Sequence, residues 1–273
     1  MKAIALGYHD VFEGELPDDG GLRPHAALYA LERSSFRLHV RSIPEGEGTS
    51  VGAIYRFRTW RKQVPVFLTF DDGAIGAYSC IADELEQCNH RGHFFIVTNW
   101  IGRAGFMDRA QIRELHRRGH VIGTHSCTHP ERMANLTREE MQREWTESCS
   151  LLADILGEKT AVASVPNGYY SKAVGETAAS AGIEILFNSE PTMATHVVNR
   201  CLVIGRYAIK AADPPEATAN LVARAWPRWR QTLRWQAAKT AKLLGGPVFL
   251  AVRTRLLARR APAPANHGPD GLS

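Results

Sequence analysis

VFLTFDDGAIGAYS, Val66–Ser79, sets a run of β-favouring residues against two adjacent aspartates and a glycine. An apolar run of this length, closed by Asp-Asp-Gly, reads as a buried strand and the turn that ends it. Two neighbouring carboxylates at the end of a buried strand repel each other and are costly to desolvate. A bound cation relieves both problems. Asp71 and Asp72 therefore point to chemistry at a strand end.

The same alternation continues on either side. AIALGY precedes a loop rich in Gly, Pro and Asp, and the apolar spacing of Ile75, Tyr78, Ile81, Ala82 and Leu85 predicts a helix after the aspartates. HFFIVT, HVIGT, AVASVP, IEILFN and CLVIGRYAI read as further strands. MDRAQIRELHRRG and LTREEMQREWTESCSLLADILG read as helices, the second with Thr137 as N-cap and Glu140 three residues on. Repeated strand–helix units predict a mostly parallel sheet covered by helices. No GxGxxG follows the first strand, which removes the main support for a dinucleotide fold. A closed or nearly closed (β/α) barrel fits the number of strands. Chemistry in such barrels sits at the carboxyl ends of the strands. Asp71 and Asp72, His9 and Asp10, His125, Pro166–Gly168 and Glu190 all fall at such ends.

The chain of 273 residues, 44% apolar, is long enough for one substantial core and an appendage. No run of ~20 apolar residues is present, so a spanning helix is not expected. The N-terminal run MKAIALGYHD is too short for a secretory leader and reads as a strand. Five scattered cysteines without a CxxC pair suit reduced thiols, and a cytoplasmic location is expected. The net charge of +5 is uneven: residues 1–216 hold 23 Lys/Arg and 27 Asp/Glu, whereas 217–269 hold ten Lys/Arg and no acid.

GTHSCTHP carries His125 and His129. A spacing of four brings two imidazoles to one face if the segment turns helically. Two His and one carboxylate leave a position open on a tetrahedral Zn²⁺, the pattern of a catalytic site. Asp71 or Asp72 can supply that carboxylate, and the other is then free to act as a base. Cys127, two residues from each His, is expected to pack rather than ligate.

TFDDG (Thr69–Gly73) and HSCTH (His125–His129) resemble the first two motifs of the polysaccharide deacetylase family, the NodB-homology group of carbohydrate esterase family 4. The resemblance runs from GYHDV at Gly7–Val11 to about Ile209. It implies an α/β fold, a distorted (β/α) barrel of the NodB-homology type, and a divalent metal, usually Zn²⁺. It further implies removal of N-acetyl groups from amino sugars, with Asp71 as general base and Asp72, His125 and His129 holding the metal.

The later motifs depart from the family pattern. Ser164, in SVPNG, stands where an arginine usually positions the catalytic aspartate, and Arg206 in IGRYAI is a candidate replacement. The backbone N–H of Asn167 remains available to a tetrahedral oxyanion. FNSEP replaces the fourth motif, so Glu190 either supplies the missing carboxylate or begins a turn. No Leu-x-His delivers a general acid. His9, directly after the first strand, is better placed for that role than His196 in a loop.

The expected organisation is a barrel over 1–212, a basic helical extension over 213–260 and a disordered tail over 261–273. Leu221, Ala225, Trp229 and Leu233 recur every four residues among six basic residues, a stripe expected to pack on the barrel. Peripheral contact with an anionic membrane is the alternative. An acidic body beside a short basic tail gives no extended positive groove, so nucleic acid is not an expected partner. The expected function is metal-dependent N-deacetylation of a polysaccharide or its lipid-linked or oligosaccharide precursor, in exopolysaccharide biosynthesis. The alternatives are hydrolysis of a non-sugar cyclic amide and a catalytically weakened glycan-binding homologue.

Overall fold

A computed structural model of the chain describes residues 1–43, 49–51, 54 and 64–240. In order these residues form β1 (Ile4–Tyr8), β2 (Val11–Phe12), β3 (Leu31–Glu32), α1 (Arg33–Arg41), β4 (Thr49–Val51), β5 (Val64–Phe70), α2 (Ala82–Gln87) and β6 (Gly92–Ile96). There follow α3 (Arg109–Arg117), β7 (Val121–Thr124), α4 (Arg138–Leu156), β8 (Val162–Ser164), α5 (Lys172–Ser180) and β9 (Ile185–Phe187). The series ends with β10 (Thr195–Val198), β11 (Cys201–Ile204), β12 (Tyr207–Ala208) and α6 (Glu216–Ala223), and 225–240 is again helical.

One sheet runs β10-β11-β9-β8-β7-β6-β5-β1-β12, with β4 paired to β5. Every pairing in it is parallel except β10 with β11. The two ends of this order nearly meet on β1. β12 pairs at the carboxyl end of β1, while at its amino end Lys2 bridges Ala194 and the Ala3 amide donates to Met193 O. The result is the α/β, distorted-barrel arrangement that the strand pattern implied.

The two faces of the sheet are filled differently. Tyr8, Phe70 and Phe94 stand in register on β1, β5 and β6 and stack at 5.4 and 5.1 Å between centroids, part of the layer beneath the helices. Phe67, Phe95, Val162, Phe187 and Ile204 form the other layer, where Ala3 and Ala5 on β1 leave room for the large rings.

Local signals act where the sequence placed them. Thr137 and Glu140 form a reciprocal capping box at the start of α4, and Gly157 ends that helix at φ 77°. Other expectations are corrected. The helix expected after the aspartates opens as a π-helical turn, Ala77–Ile81, before α2. Gly76 forces close contact there: an added Cβ would lie 2.0 Å from Val11 O and 2.2 Å from Asp10 Oδ1. CLVIGRYAI is not one strand. β11 joins β9, β12 joins β1, and Gly205–Arg206 makes the crossing between them. His196 lies on β10, not in a loop.

One compact unit covers Met1–Leu233 and a second covers Arg234–Ser273. Within the first, α6 packs on α1, and Thr218 bonds to both Tyr8 Oη and His39 Nδ1. Residues 241–260 of the expected extension, and the expected tail 261–273, lie outside the described residues.

Candidate metal centre and active site

β5 delivers the two aspartates to the rim. The Asp71 amide donates to Tyr8 O, extending the β1–β5 pairing by one residue. The chain then reverses through left-handed Asp72 (φ 74°) and Gly73 (φ 80°). An extended backbone would send the two carboxylates to opposite faces; the turn keeps both at one rim, with His125 Nε2 3.8 Å from Asp71 Oδ2 and 3.7 Å from Asp72 Oδ1.

His125 follows β7, and its Nδ1–H donates to Ser164 O at 2.9 Å, which fixes the tautomer and leaves Nε2 as the free ligand atom. The segment His125–His129 is not the helical turn expected from its spacing. Ser126 (φ 69°) and His129 (φ 59°) are left-handed, and the loop is tied internally. The Ser126 amide donates to Thr124 Oγ1, and the His129 amide donates to Ser126 Oγ. From α4, Glu144 accepts from the Cys127 and Thr128 amides at 2.9 Å each and from Thr128 Oγ1 at 2.7 Å. Trp100 lies against the His129 ring at 5.0 Å between centroids.

The loop and the turn bring three donors together. His125 Nε2 and His129 Nε2 each lie 3.7 Å from Asp72 Oδ1, and the ligand atoms of Asp72, His125 and His129 fall within 4.8 Å of one another. Ligands about 2.0–2.1 Å from a tetrahedral Zn²⁺ are roughly 3.4 Å apart, so the donor set fits such an ion after small side-chain adjustments. Burial lowers the His129 imidazole and pushes that of His125 down to about 3, keeping both in the neutral, ligating form. Burial and the Asp71 charge together push Asp72 up to about 6, against the pull of His9 and Arg23. A cation would supply the compensating charge. Cys127 is outside this donor group, and its Sγ lies 3.2 Å from Asn99 Oδ1.

Asp71 has a different environment. Arg206 clasps it with two bonds, Nη1 to Oδ1 at 2.7 Å and Nη2 to Oδ2 at 2.8 Å, while Nε donates to Asn188 O. Burial alone would raise this carboxyl, but Arg206 and then His125 outweigh it and hold Asp71 well below the usual carboxylate range. The guanidinium is itself buried, 4% exposed, because the chain crosses from β11 to β12 beside β1 and β5. Ser164, at the position where the resemblance implied an arginine, makes no side-chain hydrogen bond to Asp71, and Arg206 reaches that aspartate from another strand end.

The remaining expected residues are distributed around this centre. His9 follows β1, faces Tyr29 at 4.6 Å between rings, and acts electrostatically on both Asp71 and Asp72. Its buried Nδ1 has no hydrogen-bond partner among the described residues. Asn167 occupies the exposed tip of the turn Pro166–Gly168 with φ 54°. Gly168 is required beside it, since a Cβ there would meet Ser189 Oγ at 2.3 Å. Glu190 forms part of a turn: its amide donates to Asn188 Oδ1, its carbonyl accepts from Thr192, and it is not in the donor group. His196 is exposed and bonds to Tyr170 Oη at 3.2 Å.

Sequence reasoning missed Arg23 and Glu144. Arg23 is bonded to Asp10 Oδ2 and Asp19 Oδ2 and contributes positive charge to Asp72. Only the pair His9-Asp10 at a strand end hinted at it. For Glu144, nothing in the spacing of α4 signals contact with the histidine loop.

Residues 60–186 match the family model described as polysaccharide deacetylase. YxkH of Bacillus subtilis (strain 168), a candidate polysaccharide deacetylase, is 26% identical over 130 residues, covering 48% of this chain and 46% of that protein. The chain thus spans less than half the length of the curated relatives it matches. The fold resembles that of the Streptococcus pyogenes deacetylase PplD, solved in complex with acetate, with TM-score 0.66 and 20% identity over 79% of this chain and 96% of that one. It also resembles a de-N-acetylase from Aggregatibacter actinomycetemcomitans, with TM-score 0.61 and 15% identity over 78% and 97% of the two chains. The aspartate pair and the histidine loop both lie inside the region that is similar to the polysaccharide deacetylase family model.

Proposed function

We propose that this chain is a metal-dependent hydrolase that removes N-acetyl groups from amino sugars of a polysaccharide, or of its lipid-linked or oligosaccharide precursor, and that it works in the cytoplasm during exopolysaccharide synthesis. The observation that carries the reading is the division of labour between adjacent aspartates: Asp72 faces two imidazoles, and Asp71 faces a guanidinium. Asp72, His125 and His129 would hold a divalent cation, Zn²⁺ by the donor set, which would supply Lewis acidity to the amide carbonyl and lower the pKa of water.

The chain's own residues do the rest. Arg206 keeps Asp71 ionised and aimed, and Asp71 accepts the proton of the attacking water. The Asn167 N–H, at the tip of its turn, donates to the oxyanion that forms on the acetyl carbonyl. As the C–N bond breaks, His9 gives a proton to the departing amine. Acetate and a free amino sugar result. A lowered carboxyl is a weak base, so Arg206 trades some of the basicity of Asp71 for orientation and a fixed charge state.

A catalytically weakened homologue rests on two departures, the missing motif arginine and the missing Leu-x-His, and Arg206 on Asp71 answers the first of them. The test is acetate release from N-acetylglucosamine oligomers by the Zn²⁺-loaded chain, with ring opening of small cyclic amides as the comparison. Acetate release that disappears in Asp71→Asn is expected. Turnover of cyclic amides alone would overturn the substrate assignment.

A further inference from the structure

The helical segment that follows α6 is mounted with its polar side inward. Gln231 Nε2 donates to Ala208 O, Thr232 Oγ1 donates to Pro191 O, and Arg228 Nη1 donates to the Leu221 and Val222 carbonyls. At about 100° per residue, Arg228, Gln231 and Thr232 share one face, and Trp226, Trp229 and Leu233 share the opposite one. The apolar face is outward: Trp226 is 61% exposed, Trp229 51% and Leu233 42%. The two indoles lie 5.0 Å apart and form one continuous surface. The expected stripe therefore packs only at Leu221, while Ala225, Trp229 and Leu233 face away from the barrel.

A helix that follows burial alone turns its apolar side to the core. An outward apolar face of two tryptophans and a leucine marks an interaction site. Charge identifies the partner. Arg224 and Arg230 are exposed beside the patch, and residues 217–269 hold ten Lys/Arg without a single acid. Indoles favour the boundary between headgroups and acyl chains, and arginines favour anionic headgroups. Among the described residues no helix is long and apolar enough to cross a membrane.

We infer that the Trp226–Trp229–Leu233 face docks this chain on an anionic lipid surface. The inference is independent of the hydrolytic reading, because it involves none of the residues at the rim. Docking would hold the domain at a bilayer, where a lipid-linked glycan presents its sugars.

The test is co-sedimentation of the full chain with phosphatidylglycerol vesicles and, separately, with phosphatidylcholine vesicles. The expected result is binding to the first only, weakening as NaCl is raised. Replacing the exposed face in Trp226→Ser/Trp229→Ser/Leu233→Ser should reduce binding at least tenfold, and Arg224→Gln/Arg230→Gln should reduce its salt dependence. All five side chains are exposed, and unchanged circular dichroism is expected in both variants. Failure of the wild-type chain to sediment with anionic vesicles would overturn the inference. So would equal binding by the triple variant. Sedimentation velocity gives the remaining outcome: a dimer that the triple variant abolishes would assign the patch to a second copy and also overturn it. Acetate release in solution, measured alongside, stays the same in every variant.

Discussion

The Arg206 guanidinium meets the Asp71 carboxylate fork to fork across 135 positions of sequence, with both partners buried. The contact exists because β11 and β12 belong to opposite ends of the sheet order, and the chain crosses between them at Gly205–Arg206. Gly205 permits the crossing, since a Cβ there would lie 2.1 Å from Glu190 O.

Replacing Arg206 by Met should reduce kcat/KM by about 10²-fold through loss of aim, with metal content unchanged. The pH profile separates this from simple damage. Without the guanidinium, burial raises Asp71, so the acid limb of kcat/KM moves to higher pH. Arg206→Lys, which keeps the charge but loses the fork, should shift the limb less while still losing rate. A limb that stays in place in Arg206→Met would contradict the assigned role.

The aspartate pair, the two histidines and the parallel strand–helix order were all legible, because each rests on local pattern: an apolar run, a spacing, a cap. What escaped depends on packing between distant segments. His125 and His129 meet through left-handed Ser126 and His129, not through a helical turn, and no spacing announces that geometry. Arg206 was visible as a candidate, but only the crossing from β11 to β12 brings it to Asp71. The stripe at 221–233 has helical period, yet its outward orientation is set by hydrogen bonds from Gln231 and Thr232 to backbone carbonyls far away in sequence.

Glu144 acts on the metal site only through the loop it holds. Glu144→Ala removes the acceptor for two amides and a hydroxyl, and should weaken Zn²⁺ binding about tenfold while leaving the ligands themselves intact. Glu144→Gln, which retains one carbonyl oxygen, should recover part of that loss. Isothermal titration with Zn²⁺ measures both. Equal affinity in Glu144→Ala and wild type would show that the loop needs no such support.

Two buried histidines away from the site contribute to the response to acid. His93 accepts from the Ile54 amide and bonds to Leu68 O, and burial pushes it down to about 4. His120 accepts from the Gly92 amide, and burial also pushes it down to about 4, although Glu86 opposes the shift. A depressed histidine stabilises the fold above its unfolded pKa of about 6.5, and the contribution is lost as pH falls towards 4. The loss is on the order of 3 kcal/mol for His93, and His120, pushed to the same value despite its carboxylate partner, loses a similar amount. Urea unfolding at pH 7.5, 5.5 and 4.5 should show this decline, and His93→Gln should flatten it. An unchanged slope in that variant would remove His93 from the account.

Metal stoichiometry in four proteins tests the central claim most directly. Wild type and Asp71→Asn should each bind one Zn²⁺ per chain, with turnover at least about 10²-fold lower in the second. Asp72→Ala and His129→Ala should bind none at the same free metal concentration. A wild-type chain that takes up no divalent cation, or an Asp72→Ala chain that holds as much as wild type, would contradict it.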